Sequence, residues 1–490
     1  MVAAACLVAE DHHTWGSALR GWWFSSVTGK DTNTAMNDQR YDHEPDRPGA
    51  RRARSRWWAV GLAGMTGLAL TTTAVGIGGA PAIGAVDGIL TAADDRRGKP
   101  DRASTDNKDH EGKATKGKRK GTPVPCDADA LIAAITLANA RGGAVLDLAK
   151  DCTYLLTATI DGAGLPAITT PITLNGGKHT TITRAAAAEP FRILTVDMGG
   201  DLALNKLKIT GGQTAADEDG GGILVNTGGN LIIDHSAITR NIASDNGGEI
   251  ANNGTAIVRN STVSHNTAGL AGGGVVSVGV LDLKASHVSA NAALAGVAGV
   301  FSGGTARIKR STITANHAQV GNVGGLGVFG TGNVSDTRIT DNTAPEGGGV
   351  VVGVGGQLTL RSVTITGNTA RTGRSGGLGI DPNASAVVED SIIKNNAAID
   401  GGGIYSFAEA VLRRTVLTGN QAGNEGGGIY NLSSGEINLF STKIMKNVAV
   451  TDGGGIFNEV GGTVELNTAT GTTVVKNRPN NCVNVTGCPD

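Results

Sequence analysis

Two residue types recur at fixed offsets where chemistry could be done. A carboxylate stands just before a glycine-rich triplet at Asp219, Glu346, Asp400, Glu425 and Asp452, and the last three fall on successive repeats of the chain. Like charges on neighbouring strands repel. A cation relieves this, and Ca²⁺ takes several carboxylate and carbonyl oxygens, so Asp400, Glu425 and Asp452 are candidate calcium ligands. The alternative is three carboxylates splayed into water, screened by salt and needing no cofactor. An aromatic residue follows the apolar residue after the glycines at Phe301, Phe329, Tyr405, Tyr430 and Phe457. Aromatic faces in a row suit the apolar faces of sugar rings, with Asn431, Asn458 and the carboxylates offering hydrogen bonds. The competing expectation is that the rings stack on one another and stabilise the sheet.

Catalysis would need more than these rows. A polysaccharide lyase requires carboxylates for Ca²⁺ and a basic residue; Arg413 or Arg414 could be that base, but nothing in the sequence places either near the acidic row. A hydrolase requires a carboxylate pair at a set separation, which one sequence does not supply. Gly376 to Asp381 (GGLGID) fits the start of a calcium-binding nonapeptide, but position eight is Asn383 instead of a large apolar residue, and the match does not recur. His235, His265, His287 and His317 occupy scattered positions, none beside a Ser and an Asp in the manner of a triad.

The elements that must position these residues show in a repeat. An Asn ends an alternating segment at Asn241, Asn266, Asn291, Asn316, Asn342, Asn368, Asn396, Asn420, Asn447 and Asn477, in steps of 24 to 30 residues. Helical repeats are excluded by the 76 glycines and the period-two apolar pattern. A propeller blade needs about 40 residues. About 25 residues fit one coil of a parallel β-helix with two or three short strands, rising about 4.8 Å per coil. Ten to twelve coils give a rod roughly 50–60 Å long. The Asn is expected to take the left-handed conformation of a sharp turn and to bond its amide to those above and below. Ile223, Ile250, Val275, Val300, Val328, Val350, Ile380, Ile404, Ile429 and Ile456 are the expected inward stack, with the next residue outward. Steps this uniform leave little room for the long loops that wall a catalytic cleft.

The repeat resembles right-handed parallel β-helix proteins of the pectin-lyase-like class. Within that class, GGGI followed by Thr418-Gly419-Asn420 is similar to the repeats of polymorphic outer-membrane proteins, although a Thr-Gly pair or its like replaces most of their Phe-x-x. The resemblance covers about 200–477. It implies an all-β right-handed β-solenoid and, for enzymes of the class, action on uronate polymers. The segment PCDADALIAAITLANARGG with its following CTYLL is similar to the N-terminal caps of secreted actinobacterial β-helix repeats.

Upstream, residues 1–35 read as a mis-annotated extension before Met36. Residues 36–85 read as a signal peptide, with Arg51 to Arg56 as its basic part and Ala80 to Ala82 as a cleavage site, or else as a membrane anchor. Residues 86–122 read as a disordered charged linker, with almost no large apolar side chain after Leu90. The β-helix is expected over 123–490, with an N-terminal helix-and-strand cap at 126–160 and a C-terminal loop at 478–490. A solenoid end needs such a cover, because it otherwise exposes its core and a strand edge. Asp127 or Asp129 would cap the helix, with Leu131, Ile132 and Ile135 on its apolar face. Of five cysteines, Cys126 with Cys152 and Cys482 with Cys488 form the simplest local disulfides, leaving Cys6; export supplies the oxidising compartment. The net charge of −1 suggests no nucleic-acid partner. The expectation is a secreted monomer, in contact with a membrane only if 36–85 stays uncleaved. It would be a non-catalytic scaffold that binds a polysaccharide or cell-surface glycan, with a uronate-acting lyase or hydrolase, and a bare stalk or adhesin, as the alternatives.

Overall fold

The computed structural model describes residues 121–489, and the expectations for 1–120, including Cys6, lie outside it. One coil shows how the chain turns. Ile404–Ser406 is followed by Glu409–Arg413, Val416–Thr418 and Gln421–Ala422, so a coil has four strands where the sequence led us to expect two or three. Three corners need left-handed backbone: Arg414 at φ 49°, Gly419 at φ 67° and Gly426 at φ 68°. Repetition of this coil builds four parallel sheets of fourteen, thirteen, nine and twelve strands. We call these the first, second, third and fourth sheets; Glu409–Arg413, Val416–Thr418, Gln421–Ala422 and Ile404–Ser406 belong to them in that order. The first sheet begins at Thr122–Val124 and Ala144–Leu148, well before the repeat is visible in sequence, so the rod is roughly 60 Å long at the usual strand spacing.

The helix Ala128–Ala140 is started by Asp127, whose carboxylate accepts the Ala130 N–H at 2.8 Å. Leu131, Ile135 and Ala138 enter the core, while Ile132 is only partly buried. Beside it, the fully buried Tyr154 hydroxyl donates to the Val124 carbonyl and accepts from the Ala149 N–H. The bonds Cys126–Cys152 and Cys482–Cys488 both form, with Cα separations of 5.7 and 6.2 Å.

The interior is a column of Leu, Ile and Val with a row of Asn amides running through it. Each ladder Asn is buried, and from Asn266 to Asn447 each Nδ2 donates to the Oδ1 of the Asn one coil on at 2.9–3.1 Å. The same Oδ1 accepts the preceding ladder residue's backbone N–H, as Asn368 Oδ1 does from Asn342. These asparagines are not left-handed. The residue before each one is, from Arg240 at φ 57° to Lys476 at φ 60°. The Asn therefore follows the turn and points its amide inward, and the preceding residue absorbs the unfavourable backbone.

The third glycine of each triplet has a different reason to be small. A Cβ on Gly428 would lie 3.1 Å from the ladder amide of Asn447 and would overlap the Gly455 carbonyl. The register also corrects two members of the expected inward stack. Val300 pairs with Leu326 and Val350 with Leu378, so Leu326 and Leu378 hold the positions assigned to Val328 and Ile380. Those two remain buried, but they sit two residues further along the strand. The repeats there read GGLGV and GGLGI, and the second glycine pair invited the slip.

Candidate functional site

The outward middle position of the fourth sheet carries the aromatic row. Tyr405, Tyr430 and Phe457 are in register on three successive strands. Their ring centroids are 4.9 and 5.0 Å apart, with interplanar angles of 21° and 27°. Offset stacking at this spacing contributes about 0.5–1.5 kcal/mol per pair. Phe301 occupies the same position further up, but the next two register positions are Gly327 and Val351. Phe329 lies outside the strand and reaches back over Gly327 to stack on Phe301 at 5.0 Å. It therefore joins the row in space without sharing its register. The same interruption runs on through Gly379, which pairs with Val351 on one side and with Tyr405 on the other.

Arg374 covers the Tyr405 end of that interruption. Its guanidinium lies 5.3 Å from the Tyr405 centroid and 5.6 Å from that of Phe407, and it donates to the Tyr405 hydroxyl at 3.1 Å. Tyr405 is thus covered on one side by Tyr430 and on the other by Arg374, and it is only 7 % exposed. Burial, against the opposing pull of Arg374, pushes its phenol up to about 12. Tyr430 and Phe457 are half-buried. The Tyr430 hydroxyl donates to Glu459 at 2.8 Å, and burial together with that carboxylate raises its pKa. A ligand on this face meets ring edges, one guanidinium and Glu459, since the ring faces are largely taken by one another.

The acidic row runs beside the rings. Asp400, Glu425 and Asp452 stand on successive coils, five residues before Tyr405, Tyr430 and Phe457. Burial, then the charges of Asp400, Asp452 and Glu459, raises the pKa of Glu425. Hydrogen bonds within the protein relieve part of the repulsion. Asp400 accepts from the Asn424 amide and the Glu425 N–H, and Asp452 from the Asn480 amide and the Gly453 N–H. Among the described residues no three or more His, Cys, Asp or Glu side chains converge as a metal site. Glu346 is not stacked against Asp400, because the register inserts Arg374 between them. Asp381 lies near both Glu346 and Arg374; burial first, then Glu346, pushes its carboxyl up to about 6 against the pull of Arg374.

Arg413 and Arg414 lie at another corner, between the first and second sheets. Arg413 pairs with Glu389 at 3.3 Å, and Arg414 with Asp390 at 2.6 Å. Glu389 is also held by Arg361 at 2.6 Å. Hydrogen bonds from these guanidinium groups, that of Arg361 first, hold Glu389 below the usual carboxylate range, and Arg414 does the same to Asp390. Both arginines are engaged away from the acidic row.

Sequence reasoning missed Arg374, Glu459 and a second interior row of hydroxyls. Ser236, Ser261, Ser286 and Ser311 each accept the backbone N–H one coil earlier at 3.1–3.2 Å. The Ser or Thr that recurs five residues before each Asn was its visible trace. Arg374 could have been found by writing the residues before the glycines in true register, where it interrupts the acids.

No helix among the described residues is long and apolar enough to cross a membrane, and the two disulfides suit an oxidising compartment. Residues 298–444 match the family model described as right handed beta helix region. No curated protein and no solved structure matches the chain. The four parallel sheets and this match together identify the protein as a right-handed parallel β-helix repeat protein.

Proposed function

We propose that the protein is a secreted, non-catalytic scaffold that binds a polysaccharide or cell-surface glycan through the outer face of the fourth sheet. The observation that carries this reading is the stack of Tyr405, Tyr430 and Phe457 with Asp400, Glu425 and Asp452 alongside it, coil for coil. Ring edges offer apolar contact, while carboxylates and the Arg374 guanidinium offer acceptors and donors to sugar hydroxyls. Phe301 and Phe329 form a smaller platform of the same kind. The row repeats at about the strand spacing of 4.8 Å, so a linear glycan lying along the axis meets the same group on each coil. The short, even turns support a binding face over a walled catalytic cleft, and they equally suit a stalk.

The test is glycan retention by the full chain and by Tyr405→Ala/Tyr430→Ala. The double variant is expected to melt as one cooperative transition and to lose retention. A folded double variant that binds a glycan as the parent does would remove the aromatic face from the account.

A further inference from the structure

The last coils carry a second surface, on the second and third sheets. Met445 pairs with Val475, and Val448 bridges to Arg478, so Lys446 and Lys476 stand opposite each other on adjacent coils. Both adopt left-handed backbone, at φ 57° and 60°, because each precedes a ladder Asn. The turn that sends Asn447 and Asn477 inward leaves both lysines exposed. Arg478 occupies the position next to Val448. Together Lys446, Val448, Lys476, Asn477 and Arg478 line a concavity of about 580 Å³. Val448 is 41 % exposed there, and Lys443 is exposed on the same coil.

These cations lack the carboxylate partners that several guanidinium groups elsewhere in the molecule have. Arg361 and Arg413 share Glu389, Arg414 has Asp390, and Arg192 has Glu218. Among the described residues no carboxylate pairs with Lys446, Lys476 or Arg478. Like charges one strand apart destabilise a sheet, and a bound anion reverses the sign of that contribution. Another unpaired row, Arg259, Lys284 and Lys309, is also in register. It sits on an open strand face and has Asp234 close enough to Arg259 to feel its charge.

We propose that the Lys446–Lys476–Arg478 concavity binds an anionic polysaccharide. Adjacent lysines are about 4.8 Å apart along the axis, which is about the advance of one sugar ring in an extended chain. A carboxylate or sulfate group on such a chain, seated between Lys446 and Lys476, accepts charge-assisted hydrogen bonds from both ammonium groups. Val448 supplies an apolar floor for a ring. No aromatic residue lines the concavity, so it lacks the stacking platform on which single-stranded nucleic acid is held. The site lies on different sheets from the aromatic face and does not depend on it.

The experiment measures retention of the full chain on immobilised dextran sulfate, hyaluronate, uncharged dextran and single-stranded DNA at low and high salt. The wild type is expected to bind an anionic glycan and to ignore dextran. Lys446→Glu/Lys476→Glu/Arg478→Glu should lower that retention by about tenfold or more, and Lys284→Glu/Lys309→Glu should leave it unchanged. Binding to only one of the two anionic polymers supports the proposal and identifies the charged group. Should the reversal variant fail to fold, the triple alanine variant gives the same reading with a smaller loss. Wild-type retention on neither anionic glycan would overturn the proposal, as would undiminished retention of the variants or tighter binding to DNA. Loss of anionic binding in the charge-reversal variant, with that binding retained by Tyr405→Ala/Tyr430→Ala, separates this site from the aromatic face.

Discussion

The interior Asn row and the exterior aromatic row run along the same axis at the same spacing, but they tolerate interruption differently. The Asn row is continuous from Asn241 to Asn477 and is closed at both ends: Asn241 Nδ2 donates to Glu249, and Asn477 Nδ2 to Asn481. The aromatic row is interrupted over Gly327, Val351 and Gly379, and Phe329 and Arg374 cover the two ends of the interruption from outside the strand. Burial explains the contrast. An interior amide that loses its neighbour has no water to turn to, so the polar group bears its full desolvation cost. An exterior ring that loses its neighbour is wetted or covered by another side chain. Gaps are therefore affordable only outside, and the exterior is where composition is free to serve binding.

The largest effect expected from breaking this contrast is inside. Asn342→Ala removes the acceptor used by both the Asn316 N–H and the Asn316 amide, together with two donated bonds to Asn368 and the Ile313 carbonyl. The loss should be about 3 kcal/mol or more, read as a lower urea midpoint. A loss below about 1 kcal/mol would place the row's role elsewhere.

Glu249 gives the next effect, through pH. It stands where the third glycine belongs, is fully buried, and has one oxygen without a partner while the other accepts from Asn241 at 2.7 Å. Burial raises its pKa well above the ordinary value despite that bond, so the folded protein holds it neutral. An unfolded Glu ionises near pH 4.3. The Glu249 contribution to stability is full below that value and is lost as pH rises through the raised folded pKa. Glu249→Gln should therefore gain on the wild type as pH climbs from about 4 to 8. A constant difference in urea midpoint across that range would show that Glu249 does not titrate in this way. Glu389 and Asp390, whose pKa values are lowered, act in the opposite direction, and their stabilisation fades as pH falls.

How legible these rows were follows from the same physics. The Asn and the glycines were visible because each position admits few residues: the amide must bond both ways, and a Cβ at Gly428 has no room. The left-handed position was misplaced by one residue because many types occupy it, Arg240, His265, Ala290 and Lys446 among them. The four-strand coil was hidden because two-residue strands such as Gln421–Ala422 carry no periodicity. The aromatic and acidic rows could be read as rows, but their breaks could not. Leu326 and Leu378 each precede an extra glycine, and that shifted the reading frame across Phe329 and hid Arg374.

The smallest effect expected is outside. Tyr430→Leu gives up two stacking contacts and the Glu459 hydrogen bond on a half-exposed face. It should cost about 1–2 kcal/mol, since the Leu keeps part of the apolar contact, and a loss as large as that of Asn342→Ala would erase the distinction between the two rows.

The reading of the fourth-sheet face as a non-catalytic glycan platform is tested most directly by incubating the protein with a panel of plant and microbial polysaccharides, with and without calcium. Retention and the appearance of new reducing or unsaturated ends are followed together. The account predicts retention of at least one glycan, no new ends, and no dependence on calcium. New chain ends would make the protein an enzyme and turn attention to the carboxylates of Asp400, Glu425 and Asp452, while retention of no glycan at all would leave a structural stalk.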